Sequence, residues 1–139
     1  MDPTCLQLEI AESALSSGSR GSAELVSGLK RLGAQLVIDD FGTRFSPMSY
    51  LRNFAIDSIK IDRSFIRDIG TDSIGAAIVI ALIELARVLH IGVTAEGVET
   101  ESQRDFLVRN NCAEAQGFLF SRPLTTEDAT ALLGAGKAP

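Results

Sequence analysis

An α/β fold around a parallel sheet is what this sequence predicts, on three observations. Short β-rich runs alternate with longer helical patterns, charged residues recur near the C-terminal ends of those runs, and 139 residues with 45% hydrophobic content suffice for one core. The β-rich runs are LQLEIAE at 6–12, QLVIDD at 35–40, SIKID at 58–62, GVTAEG at 92–97 and QGFLF at 116–120. Between them helical patterns cover 22–32, 73–89, 101–109 and 126–133, with a short turn at 47–51. Gly33 and Gly92 follow helical runs as C-terminal stops, and Thr100 and Thr125 stand where an N-cap belongs. The helix over 73–89 is apolar around most of its circumference: Ile74, Ile78, Leu82, Leu85 and Leu89 form one face while Val79, Ile80 and Ile83 crowd its flanks. Its surplus apolar surface fits either burial between neighbours in one chain or contact with a second chain. One domain over 1–133 and a flexible tail over 134–139, GAGKAP from Gly134, complete the predicted organisation.

Composition narrows the function classes. Thirteen basic against eighteen acidic residues leave a net charge of −5, which gives no chain-wide attraction toward DNA, RNA or acidic lipid. An anionic ligand would have to be held by a metal or a few placed cations. No apolar run reaches the ~20 residues of a membrane span, and Cys5 and Cys112 fit no metal-ligand spacing. The expectation is a cytoplasmic protein in a reducing compartment. His90, the single histidine, reads as structural.

The chemistry concentrates at the strand ends. Glu9, Asp39 with Asp40, Lys60 with Asp62, and Glu96 each fall at or near the C-terminal end of a β-rich run. Period-two alternation sends the flanking Leu8, Ile10, Ile59 and Ile61 toward helices and the charged residues the other way, which in a barrel is the interior. Two carboxylates ~4 Å apart repel by about 4 kcal/mol at an effective dielectric near 20, so such a cluster requires protons or cations. Oxygen donors without Cys or His suit Mg²⁺, Mn²⁺ or Ca²⁺ rather than zinc. With Asp39 bridging two ions, the pattern would be that of a two-metal phosphohydrolase in which Lys60 orients water or neutralises developing charge. Each motif alone also has a plain reading: DDFG as an acidic turn cap, KID as a local ion pair, Glu96 as a helix cap. Independent surface acids would have no reason to recur at one end of successive strands.

The whole run of motifs, from LQLEIAES through LVIDDFGTRFSPMSYLRNFAIDSIKIDRSFI and TAEGVETE to AEAQGFLFSRPL, resembles the EAL domain family, phosphodiesterases that hydrolyse cyclic di-GMP to linear pGpG. The resemblance implies part of a TIM-like (β/α)₈ barrel, about five βα units from its C-terminal portion. It implies Glu9, Asp39, Asp40 and Asp62 as ligands of two Mg²⁺ or Mn²⁺ ions, and Lys60 and Glu96 as catalytic residues, Glu96 either a metal ligand or a general base. Glu12 would steady the loop after DDFG, and Gln116 would lie near the bound dinucleotide.

Two departures accompany the resemblance. The Glu-Ala-Leu motif and the asparagine ligand that follows it are absent from these 139 residues, and Arg44, Phe45 and Pro47 stand where the family usually has Gly, Tyr and Ser. An arginine resists the positive φ that glycine allows, and a proline removes an amide donor. The resemblance therefore leaves three readings: a phosphodiesterase completed by further strands, a non-catalytic module for cyclic di-GMP binding or protein contact, and a barrel enzyme acting on another phosphate or enolate. A partial barrel would leave an open strand edge and exposed core, so a homo-oligomer is expected, with the 73–89 helix as its contact.

Overall fold

The computed structural model describes residues 3–16, 20–43, 51 and 54–134. Five parallel strands, β1 (Gln7–Ala11), β2 (Gln35–Phe41), β3 (Ser58–Ile61), β4 (Gly92–Ala95) and β5 (Glu114–Ala115), lie side by side in sequence order. Among the described residues the helices are α1 (Glu12–Ser16), α2 (Arg20–Arg31), α3 (Arg63–Arg67), α4 (Ser73–Leu89), α5 (Glu101–Arg109) and α6 (Thr126–Gly134). A parallel sheet in sequential order, alternating with helices, is the architecture of part of a (β/α) barrel, as the sequence predicts. No described helix is long and apolar enough to cross a membrane.

Strand register divides the sheet into two unlike faces. Ile10, Ile38, Ile59 and Val93 are aligned across four strands, and Ile61 is aligned with Ala95 and Ala115. These join Val26 of α2, Ile66 of α3, Val79, Leu82, Ile83 and Ala86 of α4 and Leu107 of α5 in one hydrophobic cluster. The opposite face carries Glu9, Val37 and Ser58 in one row and Lys60, Thr94 and Glu114 in another. Val37 is buried yet stands outside the main cluster. Among the described residues the face turned from the helices is thus mainly polar. β1 and β5 are the two edges of the described sheet.

Capping explains the helix boundaries. Asp72 accepts from the amides of Ile74 and Gly75 and starts α4, while Thr100 and Gln103 close a capping box on α5. The end of α4 differs from the expectation: His90, at φ 56°, takes the left-handed position, and Gly92 opens β4 instead. Gly92 is needed there for packing, because a Cβ would come within 2.9 Å of the Ser58 Cβ. The fifth strand also begins earlier than the pattern at 116–120 indicates. Beyond Ala115 the chain bonds to the 96–98 loop and then turns, with the Phe120 and Ser121 amides donating to the Gly117 carbonyl. The short helices α1 and α3 were not expected. The turn at 47–51, apart from Leu51, and the tail beyond Gly134 lie outside the described residues, as do Arg44, Phe45 and Pro47.

On α4, Gly75, Val79, Leu82, Ile83 and Ala86 are buried. A second stripe, Ile74, Ala77, Ala81 and Val88 with half-buried Ile78 and Leu85, runs along the helix toward solvent.

Candidate functional site

The paired aspartates show how the strand ends are built. In regular β structure Asp39 and Asp40 would point to opposite faces. The pairing of β2 with β3 shifts register between Ile38 and Phe41, and Asp40 sits at φ 54°, a left-handed conformation that a short polar side chain tolerates. The bend brings both carboxylates to one place, where oxygens of Asp39, Asp40 and Glu96 all lie within 4.8 Å of one another. The Asp40 amide donates to Asp39 Oδ1 at 3.0 Å, and the Thr43 hydroxyl donates to the Asp40 carbonyl at 2.9 Å. Next in the chain, Gly42 at φ 91° donates its amide to Glu12 Oε2 at 3.1 Å. Glu12 is only 4% exposed and so ties the start of α1 to this turn.

Lys60 occupies the centre of the polar face. Its ammonium lies 2.7 Å from Glu9 Oε1 and 2.7 Å from Glu96 Oε1, so one cation links β1 to the end of β4. Burial pulls the Lys60 ammonium down, but its bonds to Glu9 and Glu96 outweigh that and hold it above the ordinary lysine range. Gln116 Nε2 also donates to Glu96 Oε1, at 2.7 Å. A local Lys60–Asp62 ion pair is not among the contacts. Asp62 instead caps α3, accepting from the Ser64 amide at 2.9 Å and from the Ser64 hydroxyl. Burial raises the Asp62 carboxyl, yet those bonds, together with one from Asp40 and the charge of Arg63, hold it low. Asp40 moves the other way, raised by desolvation and by the charges of Asp39 and Asp62. Loss of solvation, with like charges crowded beside it, is the physical cause of that rise.

The loop bearing Glu96 is fixed from two sides. The Glu96 amide donates to the Ile61 carbonyl, Val98 donates to Gln116, and Leu119 donates to Val98. Gly117 permits this approach, since a Cβ there would fall 2.2 Å from the Val98 carbonyl oxygen. From the other side, Gln103 Oε1 accepts from the amides of Glu99 and Thr100 at 2.8 and 3.0 Å, and its Nε2 donates to the Ile66 carbonyl at 3.2 Å. This buried side chain joins the loop after β4 to the helix that Asp62 caps. The reading of the sequence did not single it out. The only signal available was the T-x-x-Q spacing of a capping box, which shows the helix start but not the reach to Ile66.

Every predicted site residue among Glu9, Glu12, Asp39, Asp40, Lys60, Asp62, Glu96 and Gln116 thus lies on the rim or polar face. Asp39, Asp40 and Glu96 are directly clustered. Glu9 reaches the cluster through Lys60 and Glu96, and Asp62 reaches it through Asp40. An all-oxygen, carboxylate-rich donor set fits a hard divalent cation.

The sequence pattern of the EAL domain matches residues 1–123. This chain belongs to the EAL domain family. Cyclic di-GMP phosphodiesterase NbdA of Pseudomonas aeruginosa is 47% identical over 119 residues, covering 86% of this chain and 15% of that protein. The MucR phosphodiesterase in complex with cyclic di-GMP superposes with a TM-score of 0.85 at 41% identity, over 93% of this chain and 52% of that one. The manganese and cyclic di-GMP complex of Klebsiella pneumoniae BlrP1 gives 0.82 at 35% identity, over 88% and 31%. The chain spans 15 to 22% of the length of the curated relatives it matches. Part of an EAL domain with a candidate carboxylate metal site is therefore the description that fold, site and relatives share.

Proposed function

We propose that residues 1–133 form the C-terminal portion of an EAL domain, with 134–139 a tail, and that this domain hydrolyses cyclic di-GMP to pGpG in the cytoplasm. The observation that carries the reading is the Asp39, Asp40 and Glu96 cluster, with Lys60 bonded to Glu9 and Glu96 beside it. Glu9, Asp39, Asp40 and Asp62 would hold two Mg²⁺ or Mn²⁺ ions, with Glu96 at the edge of the set. Bound ions of this kind supply positive charge that polarises a phosphodiester and favours ionisation of water. Glu96, oriented by Lys60 and Gln116, takes a proton from the attacking water. Lys60 offsets negative charge as water adds to phosphorus, the P–O3′ bond breaks, and the 3′ oxygen leaves to be protonated. Gln116 steadies the dinucleotide.

These 139 residues contain neither a Glu-Ala-Leu motif nor the asparagine after it. Turnover then requires those ligands from further strands, and the 139 residues alone bind without hydrolysis. A second reading, a binding module without turnover, is favoured by Arg44 and Pro47 in the loop after DDFG. A second copy would dock on the outer stripe of α4, where Ile74 and Val88 are 69% and 64% exposed. Light scattering is then expected to show a dimer.

The test is a calorimetric titration with cyclic di-GMP in Ca²⁺, repeated on Asp39→Asn, followed by a Mg²⁺ or Mn²⁺ turnover assay. Binding abolished by Asp39→Asn supports the reading. No binding by a folded sample, or binding indifferent to Asp39, refutes it.

A further inference from the structure

Gln103, in the first turn of α5, is 8% exposed and uses both ends of its side-chain amide. Oε1 accepts from the Glu99 and Thr100 amides, and Nε2 donates to the Ile66 carbonyl of α3. Capping alone does not ask for this residue, since a glutamate serves the same position of a capping box. What a glutamate carboxylate lacks is an N–H for Ile66. The first turn of α3 in turn holds Asp62, whose Oδ1 accepts from both the amide and the hydroxyl of Ser64. A cation drawn to Asp62 therefore acts on α3 and not on a loosely held side chain.

The loop over 96–100 rests on this same segment at three points. The Glu96 amide donates to the Ile61 carbonyl at 3.1 Å. Gly97, at φ 71°, comes so near that a Cβ would fall 2.6 Å from the Arg63 Cβ. Farther along, a cleft of about 530 Å³ opens on the α3 side of the loop, with Asp62, Ser64, Glu99 and Gln103 in its lining. There Gln103 makes the third contact, at 3.2 Å to Ile66. We infer that Gln103 is a positioning residue through which a cation held at Asp62 stiffens the far end of the 96–100 loop. The inference rests on the metal reading above and adds to it a route from a metal ligand to the loop that carries Glu96. Coupling of this kind is reciprocal: whatever holds the loop at Glu99 and Thr100 raises cation affinity by the same factor. The near end, at Glu96 and Gly97, is fixed by backbone bonding and close packing, so it does not depend on Gln103.

Amide-resolved hydrogen exchange on the chain, with and without millimolar Ca²⁺, tests the route with Gln103→Glu and Gln103→Met. At neutral pH the ionised glutamate keeps an acceptor for the Glu99 and Thr100 amides and loses the donor to Ile66, so it cuts the bridge and spares the cap. Gln103→Met removes both. Bound Ca²⁺ opposes local opening of the loop only where opening weakens cation binding, so exchange at Glu99 and Thr100 reads the coupling itself. In the parent Ca²⁺ is expected to slow these two amides by about five-fold or more. In Gln103→Glu the slowing should persist at Ser64 and vanish at Glu99 and Thr100, while calorimetry still shows Ca²⁺ uptake. Thermal melts check folding, and where only Gln103→Met folds, the same loss at Glu99 and Thr100 is required. A residue that merely caps α5 would leave the Ca²⁺ response of Gln103→Glu equal to the parent's, and that result overturns the inference. A parent that takes up Ca²⁺ without slowing Glu99 and Thr100 overturns it as well. A folded parent that takes up no Ca²⁺ overturns the metal reading itself, and the inference with it.

Discussion

The two faces of one sheet differ in what their residues do. Ile59 and Lys60 are neighbours in β3, yet Ile59 is fully buried among the helix-facing aliphatics while Lys60 joins Glu9 to Glu96 on the other side. The helix-facing side is closed by apolar packing, and its contribution to stability grows with the area removed from water. The polar side gathers like charges that each disfavour the others unless something positive lies among them. The lesson is that stability and ligand chemistry are separated by one residue step, so neighbouring substitutions should have opposite signatures.

The largest effect should come from Ile59→Ala, which leaves a cavity under the helices and is expected to cost about 2–5 kcal/mol in urea unfolding with metal affinity unchanged in the folded fraction. Gln103→Leu lies where the two faces are tied together. It strands the Glu99 and Thr100 amides and removes one of the bonds to the Ile66 carbonyl, which keeps its helical partners, and a loss of about 1–3 kcal/mol is expected, with weaker metal binding because the Glu96 loop loosens. If the metal affinity of Gln103→Leu stays intact, the coupling between the loops is wrong. Lys60→Met reverses the pattern seen for Ile59: about 1 kcal/mol of stability, since Glu9 is half exposed and screened, against a fall of about 100-fold or more in turnover of a completed domain.

Smaller still is Asp40→Asn. An amide keeps the left-handed backbone and offers N–H donors to its acidic neighbours while removing one negative charge from the cluster, so the metal-free chain should gain about 0.5 kcal/mol. With millimolar Ca²⁺ the order should invert, because only the parent keeps the full ligand set. The smallest change concerns Cys112, packed against the apolar side. Burial pushes its thiol above the ordinary 9.0. In a Cys5→Ser background a thiol reagent at pH 8 should label the native chain more slowly than the unfolded one. The gap should narrow as pH rises, since the native thiolate appears only at higher pH.

Much of this division was legible in the sequence, and the residues show why the rest was not. Alternation placed Ile59 and Ile61 opposite Lys60 correctly, and the 73–89 and 101–109 helices match α4 and α5 because long periodic patterns average over local exceptions. Alternation fails at Asp40, where a bulge overrides the period and puts two adjacent acids together. The partners of Lys60 depend on strand register, which local sequence does not encode, so the nearby Asp62 was the natural but wrong local candidate. α1 and α3, with five residues each, are too short to show a period. The reach of Gln103 to Ile66 spans 37 positions and is a property of packing.

The central claim is that the polar face holds divalent cations through Asp39. Its most direct test is the electron paramagnetic resonance signal of free Mn²⁺ during titration of the chain and of Asp39→Asn, with both shown to be folded. The account predicts loss of free Mn²⁺ signal with the parent and little loss with Asp39→Asn. Equal uptake by both, or none by the folded parent, would contradict it.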